Sequence, residues 1–184
     1  MKIRNSATKA LLWAGNFSIR IRDKQMTEPS LTSLYQQLIL EHYRNPRNQS
    51  EIEGYTAEAH VSNPVCGDEI CIQLRLAEDV IKEIRFVGKG CSISQASVSM
   101  MTSIVKGKNC SQAIQLAGRF AEMMKGNQEA AADISMGDLR ALKGVSKFPV
   151  RIKCALLGFD ALRKALQEDQ DVGKNVYSKR EMIQ

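Results

Sequence analysis

Three cysteines and one aspartate, Cys66, Asp68, Cys91 and Cys154, stand at positions from which they could share one centre. Cys66 and Asp68 are two residues apart in Asn63-Pro64-Val65-Cys66-Gly67-Asp68, where proline and glycine bend the backbone and let both side chains aim the same way. Cys91 follows Gly88-Lys89-Gly90 and directly precedes an expected helix start, where the positive end of the helix dipole favours a thiolate. Cys154 falls one turn into a long helical pattern, close to Lys147, Arg151 and Lys153, cations that are expected to lower a thiol pKa. Three thiolates and a carboxylate suit tetrahedral zinc. Thiolates are also the usual ligands of iron–sulfur clusters, and both metals accept this donor set. No C-x-x-C pair is present, so each cysteine taken singly also reads as a small buried apolar residue. Their joint placement on two glycine-bracketed loops and a helix start weighs towards a shared site.

The remaining candidates carry less chemistry. Cys71 lies within a strand on the face of Gln73 and Arg75, and Cys110 begins a helix; both read as bystanders. His42 belongs to the first helix and is expected to pack or meet solvent, and His60 precedes Cys66 on a strand without a partner pattern. Met100, Met101, Met123 and Met124 read as core fillers.

The elements that must position these residues follow from periodicity and caps. Ser33 with Gln36 resembles a capping box and predicts a helix over 33–44, stopped before Pro46. Residues 55–62 form a short strand, and 68–77 alternate strictly, with Ile70, Ile72, Leu74 and Leu76 on one face. Glu78-Asp79 turns the chain into a third strand over 80–87. Ser92 with Gln95 predicts a cap for a helix ended by Gly107, and Asn109 with Gln112 another for a helix through Lys125. A short helical segment spans 137–143, and Pro149 opens a long helix to about Asp169 with Ile152, Leu156, Phe159, Leu162 and Leu166 inward. The fold class is α+β, a small three-stranded antiparallel sheet covered by several helices.

Composition bounds the function. The 184 residues suit one domain, and no run approaches the ~20 apolar residues of a membrane span. The net charge of +6 is concentrated in residues 1–25, which hold six of the 26 basic residues and one of the 20 acidic ones. The body is therefore near neutral, which argues against a nucleic-acid partner and against a membrane surface. Five widely spaced cysteines do not make a disulfide framework and fit a reducing, cytoplasmic setting. We divide the chain into a disordered N-terminal extension over 1–25, a folded domain over 26–170 and a flexible polar tail over 171–184. A weak targeting segment is the other reading of 1–25.

From Leu34 to about Gln167 the chain resembles the U-type scaffold family of iron–sulfur cluster assembly, the N-terminal NifU, IscU and SufU proteins. The resemblance rests on His42-Tyr43-Arg44-Asn45-Pro46-Arg47-Asn48, on the Cys66 loop, on Gly88-Lys89-Gly90-Cys91-Ser92-Ile93-Ser94, and on Arg151-Ile152-Lys153-Cys154-Ala155. It implies an α+β scaffold, a metal site of Cys66, Asp68, Cys91 and Cys154, a cysteine desulfurase as partner and downstream cluster-assembly proteins beyond it. Two departures bear on the subtype. Lys153 stands where cluster-holding members commonly carry histidine, and 63 positions separate Cys91 from Cys154, more than is usual in the IscU branch. Both features are similar to the SufU branch, whose members bind zinc and accept sulfur. The resemblance thus implies a zinc-dependent sulfurtransferase with Cys66 as acceptor; the alternative is a scaffold for a labile iron–sulfur cluster.

Overall fold

The structure is a computed structural model that describes residues 31–181, with side chains from 32 to 167. The extension expected over 1–25 lies outside the described residues.

Three strands form one antiparallel sheet in the order β1-β2-β3: β1 Ala57–Asn63, β2 Asp68–Ala77 and β3 Val80–Lys89. The alternation in β2 does what its period dictates. Ile70, Ile72 and Leu74 are fully buried, facing Ile84 and Phe86 of β3 in the same core, while Arg75 is exposed on the other face. Gln73, on that outer face, is nevertheless buried. Its Oε1 accepts the Ile52 amide at 2.8 Å and its Nε2 donates to Glu58 at 2.7 Å, so its polar atoms are satisfied. Glu78 and Asp79 both adopt positive φ, at 51° and 64°, giving the two-residue turn whose twist matches paired strands.

Five helices and a 3₁₀ segment cover the sheet: α1 Leu31–Arg44, α2 Ser92–Val105, α3 Cys110–Met124, α4 Gln128–Ala132, the 3₁₀ segment Ile134–Lys147 and α5 Pro149–Glu181. The core joins the inner sheet face to α2, α3 and α5, with Phe120 and Phe159 stacked at 4.5 Å between centroids. Helices α2 and α5 cross closely. A β-carbon on Gly158 would stand 3.0 Å from Val98 Cβ, and Ser97 Oγ donates to the Ala155 carbonyl at 2.7 Å. This contact fixes α5, and with it Cys154, relative to the start of α2.

Several expected boundaries shift. Helix α1 begins at Leu31, which puts Ser33 inside the first turn rather than at the cap. The Asn109–Gln112 capping box forms as expected, in both directions. The Ser92–Gln95 box does not: Cys91 is the N-cap, without a side-chain cap bond, and Gln95 Nε2 has no partner. The acceptor at this helix start comes instead from Asp68 of β2, a tertiary contact that local spacing cannot signal. Helix α4 goes unread in the sequence because it is only five residues long, capped by Asn127 onto the Ala130 amide at 3.0 Å. The backbone of α5 continues to Glu181, past the stop expected near Asp169, and no proline interrupts it.

Candidate metal centre

The site lies at one end of the sheet, where three chain segments meet. Asn63 pairs with Asp68, so residues 64–67 form the turn joining β1 to β2, and Cys66 rides on it. The turn is tight. Asn63 accepts the Val65 amide on its side chain at 3.1 Å and the Gly67 amide on its carbonyl at 2.8 Å. Gly67 sits at φ 69°, a conformation that a side chain would strain. β3 ends alongside: Glu69 pairs with Lys89, which brings Gly90 and Cys91 back beside Asp68. The third segment is α5, which packs on β1 and β2 and places Cys154 over the turn.

Glycines make the junction close enough. A β-carbon on Gly88 would collide with the Glu69 carbonyl oxygen of the paired strand. On Gly90 it would stand 2.5 Å from Ser94 Oγ and 2.9 Å from the Asp68 carboxyl carbon. The carboxylate therefore occupies the space that only a glycine leaves open, and its Oδ1 accepts the Cys91 amide at 3.1 Å.

The ligand atoms of Cys66, Asp68 and Cys154 all lie within 4.8 Å of one another. The Cys154 thiol points at Cys66 Sγ across 3.7 Å. Cys91 adjoins the group through its amide, which donates to Asp68 Oδ1, and through its thiol, which bears on Asp68 and Cys154 although it stands outside this 4.8 Å set. Of the four residues singled out by sequence, three thus bring their ligand atoms within 4.8 Å of one another, and the fourth, Cys91, stands beside them with its thiol facing Asp68 and Cys154. His60 is exposed on β1, directly opposite Cys71 in the register, and neither joins the group. Cys110 is buried in the core at the start of α3. His42 is also buried, its ring bridging Ser99 Oγ at 2.8 Å and Asp138 Oδ2 at 3.2 Å.

Electrostatics separate the members of the group. Burial pushes the Asp68 carboxyl up, but the surrounding donors (the Cys66 thiol, the Cys91 amide and the Ser94 hydroxyl) outweigh it and hold the group below the usual carboxylate range. The carboxylate is thus ionised near neutrality. Cys154 goes the opposite way from the sequence expectation. Burial raises its thiol well above the ordinary range, and the neighbouring Cys66, Cys91 and Asp68 add to the rise. The cations expected to lower it, Lys147, Arg151 and Lys153, are all exposed, whereas Cys154 is 2% exposed. Solvent screens their charges, and the causes that dominate at the thiol all raise it.

The residues present fit a metal ion. Asp68 Oδ2 is buried without a hydrogen-bond partner, beside two thiols in contact. A buried ionised oxygen left unpaired is costly unless a cation completes it. Sequence reasoning missed Ser94 and the contact between Gly90 and Asp68. A serine three residues past the cap was the available signal for the first; the second is visible only in the tertiary arrangement.

A three-stranded antiparallel sheet under a helical layer, with thiols and a carboxylate gathered at a hairpin turn, a helix start and a second helix, defines a small α+β metal-site protein. Residues 34–168 match the NifU-like N terminal domain, and the chain belongs to that family. It is 43% identical over 141 residues to the zinc-dependent sulfurtransferase SufU of Bacillus subtilis (strain 168), covering 77% of this chain and 95% of that one. Over 161 residues it is 40% identical to the iron-sulfur cluster assembly scaffold protein IscU of Streptococcus pyogenes serotype M1, covering 82% and 100%. Among solved structures, a candidate iron-sulfur cluster assembly scaffold protein for the SUF system from Fervidobacterium islandicum AW-1 superimposes with a TM-score of 0.66 at 29% identity, covering 71% of this chain and 94% of that one. No helix among the described residues is long and apolar enough to cross a membrane.

Proposed function

We propose that this chain serves iron–sulfur cluster assembly as a zinc-binding sulfurtransferase, accepting persulfide sulfur from a cysteine desulfurase in the cytoplasm. The observation that carries the reading is the convergence of Cys66, Asp68 and Cys154 within 4.8 Å, with one thiol exposed and the other buried. The name of the Streptococcus relative supports the pathway, and that of the Bacillus relative supports sulfur transfer and the metal.

Cys66, Asp68, Cys91 and Cys154 are the residues that would hold zinc. When bound, zinc supplies the charge that keeps thiols deprotonated in a buried setting. Asp68 is ionised and its unpaired Oδ2 is free to ligate, while its Oδ1 ties the β2 turn to the start of α2. Cys154 is anchored in α5. Cys66 is exposed on a turn, so its thiolate can reach a partner's persulfide. It attacks the outer sulfur; the S–S bond of the donor breaks, and the donor cysteine leaves as a thiolate.

The test is elemental analysis of freshly purified protein with its ultraviolet–visible spectrum, followed by a sulfur-transfer assay. Colourless protein with about one zinc per chain and loss of sulfur acceptance in Cys66→Ala are expected. Normal persulfide formation in that variant removes Cys66 from the acceptor role. Brown, iron-containing protein supports the second reading, a scaffold for a labile cluster, which the name of the Streptococcus relative favours.

A further inference from the structure

Two thiols of the site are near enough to react with one another. Cys154 Sγ stands 3.7 Å from Cys66 Sγ, and a disulfide needs about 2 Å, so a shift of under about 2 Å closes the pair. The two sides differ in freedom. Cys154 is held in α5, whose backbone is tied to α2 through Ser97 and the Gly158–Val98 contact. Cys66 is exposed on a four-residue turn, where its thiol faces the Asn63 carbonyl of its own loop at 4.0 Å and bears on the Asp68 carboxylate.

Resting on the reading of Cys66 as the sulfur acceptor, we propose that Cys154 discharges the persulfide formed on Cys66, releasing the carried sulfur as hydrosulfide and leaving a Cys66–Cys154 disulfide. The Cys154 sulfur attacks Sγ of Cys66, the inner sulfur of the persulfide anion. The bond between Sγ and the outer sulfur breaks, and the outer sulfur departs with the electron pair and the Cys154 proton as HS⁻. The outer sulfur gains two electrons, and the two cysteine sulfurs lose two between them. No further reductant enters this step; a dithiol afterwards restores both thiols.

Geometry selects the inner sulfur. Thiol–disulfide displacement runs in line, so the leaving sulfur must lie opposite the attacker. Cys154 occupies the buried side of Cys66 Sγ, and an added sulfur takes the exposed side. Attacker, centre and leaving group then follow the path from core to solvent. The sulfur emerges in the oxidation state that iron–sulfur clusters contain, on the face from which it can leave.

The experiment uses the full chain as purified, loaded anaerobically with glutathione persulfide, which bypasses the desulfurase. After excess reagent is removed and before any thiol is added, trapped sulfide, intact mass and disulfide-linked peptides are measured. Sulfide comparable to the protein concentration, a mass lower by about 2 Da and a Cys66–Cys154 linked peptide are expected, with any bound metal released alongside. Cys154→Ser should hold a persulfide, heavier by about 32 Da, and release at least tenfold less sulfide. A stable persulfide on the unaltered chain, or equal sulfide release from Cys154→Ser, overturns the proposal. If that variant does not fold, the linked peptide from the unaltered chain decides: another pairing, or none, overturns it. A desulfurase that leaves Cys66 unloaded, while the reagent still yields the disulfide and sulfide, defeats the acceptor reading alone.

Discussion

The Asp68 carboxyl carbon lies 2.9 Å from the point where a β-carbon on Gly90 would stand. One residue of β2 thus fills the space left vacant by the residue before the Cys91 cap, and the same carboxylate takes the Cys91 amide. Gly90→Ala is expected to push Asp68 and Ser94 aside, costing about 1–3 kcal/mol of stability and reducing bound metal. Gly118→Ala in α3 is the contrasting substitution, because nothing lies within 4 Å of its added β-carbon. It should stabilise by about 0.5–1 kcal/mol. Thermal unfolding and metal content of both variants check the pair.

His42 clamps α1 to two other elements, through Ser99 of α2 and Asp138 of the 3₁₀ segment. Ser99 Oγ also accepts the Arg47 amide at 2.8 Å, so the hydroxyl serves two segments at once. In a neutral ring, an Nε2–H that donates to Asp138 leaves Nδ1 to accept the Ser99 hydroxyl. His42→Ala removes the ring partner of that buried hydroxyl, which keeps only the Arg47 amide, and should cost about 1–3 kcal/mol. Asp138→Ala should cost under about 1 kcal/mol, because the carboxylate is 41% exposed and solvent takes over its bonds. Urea unfolding at neutral pH separates the two.

Acid stability has one readable contributor away from the metal centre. Asp133 accepts bonds from Ser135, hydroxyl and amide, and pairs with Arg119 at 3.1 Å; the Ser135 bonds are the main cause that holds its carboxyl below the usual range. A carboxyl lowered by folding contributes stability that is present above the ordinary carboxylate pKa, near ~4, and lost as pH falls through the folded value. Asp133→Asn should therefore lower stability at neutral pH and shrink the difference from the unaltered protein below about pH 4. Melting temperatures between acid and neutral pH measure this.

Metal binding should release protons, because burial holds Cys154 as a thiol well above the ordinary range when no metal is present. Zinc affinity is then expected to rise with pH, by about tenfold per pH unit for each proton displaced. Competition titrations with a chromophoric chelator at several pH values supply the slope. Cys154→Ala should lose the metal outright, since it removes the buried ligand, whereas Cys66→Ala should retain part of it. Equal retention by the two would contradict the division of roles between an anchored and an exposed thiol.

The chain by itself determined the elements and the residue types of the site. The alternation of Ile70, Ile72 and Leu74 forces β2 to bury one face, and the Asn109–Gln112 cap writes the start of α3 locally. The motifs around Cys66, Cys91 and Cys154 also marked the family, which the match over residues 34–168 shows. Only the tertiary structure decided how those residues meet. It set Asp68, rather than Ser92, at the start of α2. It buried Cys154 away from Lys147, Arg151 and Lys153, and so reversed the expected direction of its thiol pKa. It also turned His42 from an ordinary helix residue into a buried bridge across 57 and 96 positions of sequence. The reason is common to all three. Propensity and spacing act over a few residues, whereas burial, desolvation and hydrogen-bond partners are set by segments that become neighbours only when the sheet and helices pack.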